Sequence, residues 1–265
     1  MKLTILNENT AEGHFRTEHG VSYLIEHDGQ TILFDTGHSD VFMQNATKLG
    51  FDLHKNVDLI VLSYEHWDHG DGLHYFKNKP LLPHPSAFMK RFRKSDRTPV
   101  GLSLSKSVIR EKFEVIISAR PFRISEHVYF LKEISRQNNF ESQSISLVDE
   151  NGVDDFVPDD SALEIINNQK LTVIIGCSHS GICNICEYAK HFTGIQSIER
   201  VIGGFHLKHN DEQTRQIIHY FKQKKIQDLW PSHCTELPAL AAFHSIFGIA
   251  QLKTGQLFNF SNTGQ

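Results

Sequence analysis

The chain has 265 residues, 39% hydrophobic and 22% charged, a globular mixture that excludes wholesale disorder. Its 27 basic and 31 acidic side chains give a formal charge of -4, which supplies no basic footprint for a nucleic acid. The longest apolar runs, such as Leu59–Leu62 and Val173–Ile175, fall far short of the about 20 residues of a membrane span, so neither nucleic acid nor membrane is an expected partner.

Leu3–Leu6 reads as a first strand rather than a secretory signal, since one charge precedes it and Asn7, Glu8 and Asn9 follow at once. Val21–His27 and Thr31–Asp35 are strands joined by Asp28-Gly29, a strong hairpin turn. Val41–Leu49 carries helical spacing and ends at Gly50. Val57–Ser63 is nearly all apolar, as a strand covered on both faces should be. Residues 85–94 and 103–112 predict helices with basic outer faces, and 113–158 predicts only short strands and loops. Order returns with Ala162–Ile166 and Leu171–Gly176, a strand pair joined through residues 167–170. Then come a helix from Gly181 to His191, a strand at Arg200–Phe205, and a helix at Asp211–Lys225. A strand at Asp228–Ser232, a helix at Pro238–Phe247 and a last strand at Leu257–Phe260 complete the chain. No linker rich in Pro, Gly or Ser splits it, so it reads as one domain over residues 1–265 with an irregular insertion or lid over 85–158. The element order fits an α/β fold of mixed sheets covered by helices on their outer faces.

The four cysteines, Cys177, Cys183, Cys186 and Cys234, are too few and too clustered for a disulfide framework, and a reducing, cytoplasmic setting is expected. Cys183 and Cys186 form C-x-x-C inside an apparent helix beside Ile182 and Ile185, with no second such pair. They are read as small buried residues.

The segment Ser63-Tyr64-Glu65-His66-Trp67-Asp68-His69-Gly70-Asp71-Gly72 follows the buried strand directly. Extended backbone points residues 64 and 66 to one side, and Asp68 and His69 follow in the turn beyond. Imidazole and carboxylate donors packed this closely suit zinc, iron or manganese, and the segment can line two adjacent metal positions. His179, His206 and His233 also stand at or just past the ends of apolar strands, where α/β folds collect their sites. His66, Asp68, His69, His179, His206 and His233 are therefore the candidate metal ligands. His14, His19, His74, His84 and His244 receive no role and are expected to scatter over the surface.

These motifs resemble the metallo-β-lactamase superfamily. Residues 64–69 resemble its H-x-H-x-D-H signature, with Tyr64 in the first histidine position, and Leu33-Phe34-Asp35-Thr36-Gly37 resembles its first motif. Gly-Cys-Ser-His-x-Gly, Gly-Gly-Phe-His-Leu and Pro-x-His-Cys-Thr together resemble the dihydropteroate-synthase-like branch, the dihydropterin–ribofuranosylaminobenzene phosphate synthases. The resemblance implies an αββα sandwich of two mixed β-sheets flanked by helices, with the site at one rim. It covers residues 20–72 and 160–235 and is thin over 85–158. Asp71 replaces a usual glycine, Glu236 stands where the branch often has glycine, and the bridging aspartate has no clear counterpart, Cys177, Asp160 and His206 being candidates.

Asp35 is expected to orient a ligand histidine by accepting its remaining N–H, with Cys177 close by. Tyr64 is read as a phenolate ligand, a hydrogen-bond donor to substrate, or a filler of a weakened metal position. Tight binding is expected through Asp68, His69 and His233, with His66 and His179 facing a weaker position. One or two divalent ions, zinc first, are the implied cofactor. In the basic run, Lys90, Arg91 and Arg93 are candidates for holding an anionic small-molecule substrate, against the default of a solvated helix face. No G-x-S-x-G elbow and no phosphate-binding loop is present, so the metal must carry the chemistry. The first reading is a hydrolase using a metal-bound hydroxide on an ester, lactone or phosphoester, with Asp68 and Tyr64 as its catalytic side chains. The alternatives are a pterin-type C–N bond-forming synthase and a non-catalytic metal- or ligand-binding protein.

Overall fold

The computed structural model describes residues 1–118 and 120–260. In chain order the elements are β1 (Lys2–Asn7), β2 (Ser22–His27), β3 (Gln30–Phe34), α1 (Val41–Lys48), α2 (Leu53–Asn56), β4 (Leu59–Val61), α3 (Trp67–Gly70), β5 (Pro80–Leu82), β6 (Arg91–Arg93), α4 (Lys106–Lys112) and β7 (Glu114–Val115). They continue with β8 (Phe122–Arg123), β9 (Val128–Phe130), β10 (Leu147–Asp149), β11 (Ala162–Asn167), β12 (Lys170–Cys177), α5 (Ile182–Thr193), β13 (Ile198–Gly204), α6 (Glu212–Gln223), β14 (Asp228–Ser232), α7 (Leu237–Phe247) and β15 (Leu257–Asn259).

The chain divides into two compact units, one from Met1–Ala119, Ile145–Asp159 and Lys253–Ser261, the other from Arg120–Ser144 and Asp160–Leu252. A reading that looks for linkers finds one domain because each unit is assembled from separated segments. The stretch 85–158, expected as a single insertion, is shared out: residues 145–159 belong with the first unit and 120–144 with the second.

The first unit holds a seven-stranded mixed sheet in the order β15-β1-β2-β3-β4-β5-β7. Asp28 and Gly29 both take positive φ, 50° and 72°, as the two-residue hairpin turn between β2 and β3 requires. The β3, β4, β5 and β7 pairs are parallel. Leu59, Ile60 and Val61 of β4 are all buried, which explains their unbroken apolar run. Leu6, Leu24, Leu33 and Ile60 pack with Phe42 and Ala46 of α1 in one core. The helix expected over 85–94 is absent. Residues 85–88 form a turn that starts at Pro85, two residues after Pro83, and β6 pairs with β10.

The second unit holds a six-stranded mixed sheet, β14-β13-β12-β11-β9-β8. Strands β12, β13 and β14 run parallel, and Asn168 and Gln169 (φ 49° and 58°) turn the β11–β12 hairpin. Val173, Ile175, Val201 and Leu229 pack against α5, α6 and α7 through Ile185, Phe221 and Phe243. Cys183 and Cys186 lie in this core, where burial raises both thiols. The Glu141 carboxylate accepts the N–H groups of Cys183 and Asn184 at 3.0 and 3.1 Å, capping the first turn of α5 from outside the helix. Among the described residues no helix is long and apolar enough to cross a membrane.

Candidate metal centre

In the first unit, β3 and β4 end side by side and deliver two halves of one arrangement. Asp35 follows β3 directly, is fully buried and holds a left-handed φ of 58°. That conformation is uncommon for a residue with a side chain and marks a position where packing over-determines the backbone. Its carboxylate accepts the Ser63 N–H and O–H at 2.7 Å each, which fixes the start of the 63–72 segment. It lies 2.7 Å from His69 Nδ1. A carboxylate can only accept there, so the proton sits on Nδ1 and the Nε2 lone pair is left to bind. His69 Nε2 lies 3.6 Å from Asp68 Oδ2.

Tyr64 is buried with its ring between two imidazoles, 4.5 Å from the His66 centroid and 4.4 Å from that of His69. It therefore packs on both histidine rings, although the backbone bends at Ser63 and Tyr64 after β4 rather than running on extended. His19, expected on the surface, places Nε2 3.2 Å from Asp68 Oδ2 while staying more than half exposed. It belongs to the long β1–β2 connection, where no strand end or spacing marks it. Gly20 beside it leaves no room for a side chain: a Cβ there would stand 2.5 Å from the Asp68 carbonyl oxygen. Gly72 is equally constrained, with the Thr36 carbonyl oxygen 2.2 Å from its Cβ position.

Arg91 is corrected from a substrate-binding arm to a buried clamp. Its side chain is 0% exposed, Nε lies 2.5 Å from Asp155 and Nη2 2.6 Å from Asp159, and Nη1 pairs with Glu65. Desolvation alone would lower the guanidinium pKa, but the Asp159 and Glu65 carboxylates reverse this and raise it. Burial pushes the Glu65 carboxyl well up, and Arg91 offsets only part of that rise. Glu65 lies between Tyr64 and His66 and its N–H donates to Asp159 at 3.0 Å, so the clamp holds the donor segment itself. Lys90 and Arg93 are exposed, paired with Glu150 at 3.6 Å and Asp96 at 3.5 Å.

In the second unit the parallel strands β12, β13 and β14 end at one level, with Cys177 opposite Gly204 and Gly204 opposite Ser232. His179, His206 and His233 follow these ends. His206 and His233 hold left-handed φ values of 52° and 50°, so three of the singled-out residues, with Asp35, sit on strained backbone. The His179 and His206 rings are 4.3 Å apart between centroids. His206 Nδ1 lies 3.1 Å from Cys177 Sγ. Asp160, a candidate for the bridging aspartate, accepts the Ser180 N–H at 2.6 Å and so steadies the turn that carries His179. Desolvation would raise the Cys234 thiol, but the Cys177 thiol donating to it and the His206 imidazole hold it well below the usual range.

These donors are of the type a divalent metal takes: neutral imidazole, carboxylate, and one histidine already oriented by a buried carboxylate. Comparison with known proteins points the same way. The metallo-beta-lactamase superfamily profile matches residues 16–85, which take in Asp35 and the whole 63–72 segment. Two proteins of Methanocaldococcus jannaschii are similar along nearly the full chain. The uncharacterized protein MJ0448 is 34% identical, covering 90% of this chain and 92% of that protein. The 7,8-dihydropterin-6-methyl-4-(beta-D-ribofuranosyl)-aminobenzene-5'-phosphate synthase is 31% identical, covering 93% and 91%. The crystal structure of Tm1679, a metal-dependent hydrolase of the beta-lactamase superfamily, matches with a TM-score of 0.88 at 28% identity, covering 99% of this chain and 100% of that one.

Proposed function

Because the chain belongs to the metallo-beta-lactamase superfamily, we propose that it is a metal-dependent hydrolase acting on a small phosphoester, ester or lactone. The observation that carries this reading is the buried Asp35–His69 bond of 2.7 Å, which fixes a tautomer suited to metal ligation. His66, Asp68 and His69 are the donors the first unit offers to this ion. A divalent ion bound by such donors supplies a Lewis acid and acidifies a bound water, and zinc is our choice. Asp68 is the base that takes the proton from the attacking water. His19, 3.2 Å away and more than half exposed, passes that proton to solvent. Tyr64 fills the place of a further imidazole.

A second reading, a C–N bond-forming synthase on a pterin donor, is favoured by the 31% identity to the synthase. Metal-loaded protein assayed on phosphodiester, lactone and thioester probes, and separately for pyrophosphate release from a pterin diphosphate with an arylamine acceptor, decides between them. Turnover of the first group supports the hydrolase. Release of pyrophosphate only when both partners are present replaces it with the synthase. Metal binding with no turnover on either panel contradicts both and leaves a binding protein.

A further inference from the structure

We propose that Cys177, Cys234 and His206 form a sulfur-rich cation site within the second unit that takes a thiophilic metal ion, zinc or a zinc-like ion, without needing the Asp68 and His69 donors. The three residues are far apart in sequence but belong to three adjacent parallel strands of one sheet. Cys177 is the last residue of β12, His206 follows β13 by two residues and Cys234 follows β14 by two. The register sets these ends level, so the side chains converge. The two Sγ atoms are 2.7 Å apart, Cys177 Sγ is 3.1 Å from His206 Nδ1, and all three donor atoms lie within 4.8 Å of one another.

Three further features position the donors. Gly204 at the end of the middle strand makes the space: a Cβ there would stand 2.6 Å from Cys234 Sγ. His206 keeps a left-handed backbone, φ 52°, the kind of cost a fold retains where a side chain must be aimed. The Phe205 N–H donates to Thr235 Oγ1 at 2.9 Å and the Glu236 N–H to the Leu207 carbonyl at 2.8 Å. These bonds tie the His206 turn to the Cys234 turn.

The chemistry of the set differs from that of the His69 side. Two sulfurs and one nitrogen, with no carboxylate among them, select zinc, cobalt or cadmium and reject magnesium, calcium and manganese. Tetrahedral zinc with Zn–S near 2.3 Å sets the sulfurs roughly 3.7 Å apart, so binding widens the present pair by about 1 Å. It converts both thiols to thiolates, and their two protons leave to solvent. Three protein ligands leave a fourth position for water or a substrate atom.

The test uses the reduced, chelator-treated full chain titrated with cobalt(II). A thiolate-to-cobalt charge-transfer band is expected in wild type and in Asp68→Asn, and its loss is expected in Cys177→Ser and Cys234→Ser of unchanged circular dichroism. No band in wild type at saturating cobalt overturns the proposal, as does a band that survives both serine variants. A band lost in Asp68→Asn also overturns it, because the sulfur set is then not independent, while the hydrolase reading stands. Should the serine variants not fold, alkylation of wild-type protein gives the same answer. Zinc is expected to slow modification of Cys234 about tenfold by occupying its thiolate, and an unchanged rate contradicts the site.

Discussion

Asp35 shows how far single residues were legible. A strand-end aspartate ahead of a donor segment pointed to an orienting role, and the carboxylate does hold His69 at 2.7 Å. What no sequence shows is the left-handed backbone behind it, which arises only when Ser63 and His69 converge on one carboxylate. Alternation along an extended segment put Tyr64 beside His66, but the chain bends at Ser63 and Tyr64, so the ring reaches both imidazoles through that bend and not through strand geometry. His19 was not legible, because a residue in a long loop is placed by tertiary contact alone. The position of Tyr64 between the two imidazoles makes a direct prediction. Tyr64→His restores a nitrogen donor facing His66 and His69, and a manganese titration is expected to show an added or tightened second ion. Unchanged manganese affinity sinks the idea that the phenol replaces a lost ligand.

Among the elements, those with a strong local signal came out as read. Helix α1 starts at Val41 and closes against Gly50 at φ 86°, and Asp211 caps α6 by accepting the Thr214 N–H at 3.0 Å. The failure is at 85–94, where basic residues at helical spacing suggested a solvated face. Arg91 instead points inward, because three carboxylates from residues 65, 155 and 159 gather around it, and partners that distant leave no local pattern. Arg91→Met leaves those carboxylates buried without their counter-charge, a loss of about 3–5 kcal/mol. Denaturant unfolding reads it, and a variant as stable as wild type refutes the clamp.

Strand β11 carries a buried carboxyl, Glu164. Burial raises its carboxyl to about 8, the Thr193 hydroxyl offsetting only part of the shift. The unfolded chain gives up this proton near the ordinary 4.5. The carboxyl's contribution to stability is therefore intact below pH 4.5 and is lost as pH rises through 8. Glu164→Gln, which cannot ionise, is expected to be more stable than wild type at pH 9 by about 2–4 kcal/mol relative to their difference at pH 4. Parallel stability–pH curves for the two proteins contradict the assignment.

At the scale of the whole molecule, both units follow one plan. Each has an antiparallel hairpin turned by two residues of positive φ, whose second strand leads into parallel strands joined by crossovers. The hairpin turns and the helix-strand alternation were legible because they rest on local chemistry, Asp28-Gly29 above all. The division into two units was not, because residues 145–159 and 253–261 return to the first unit from far along the chain. The strand ends that carry the candidate donors were legible for the same reason in reverse, because strand ends can be read locally.

The central claim is that this protein is a metal-dependent enzyme working through the Asp68 and His69 donors. Manganese tests it most directly, because that ion favours carboxylate and imidazole over sulfur. Turnover of the responsive probe, measured against bound manganese in chelator-treated wild type and Asp68→Asn, should rise with occupancy in wild type and stay at background in the variant. Full turnover in the metal-free protein, or equal manganese binding and turnover in Asp68→Asn, would contradict the account.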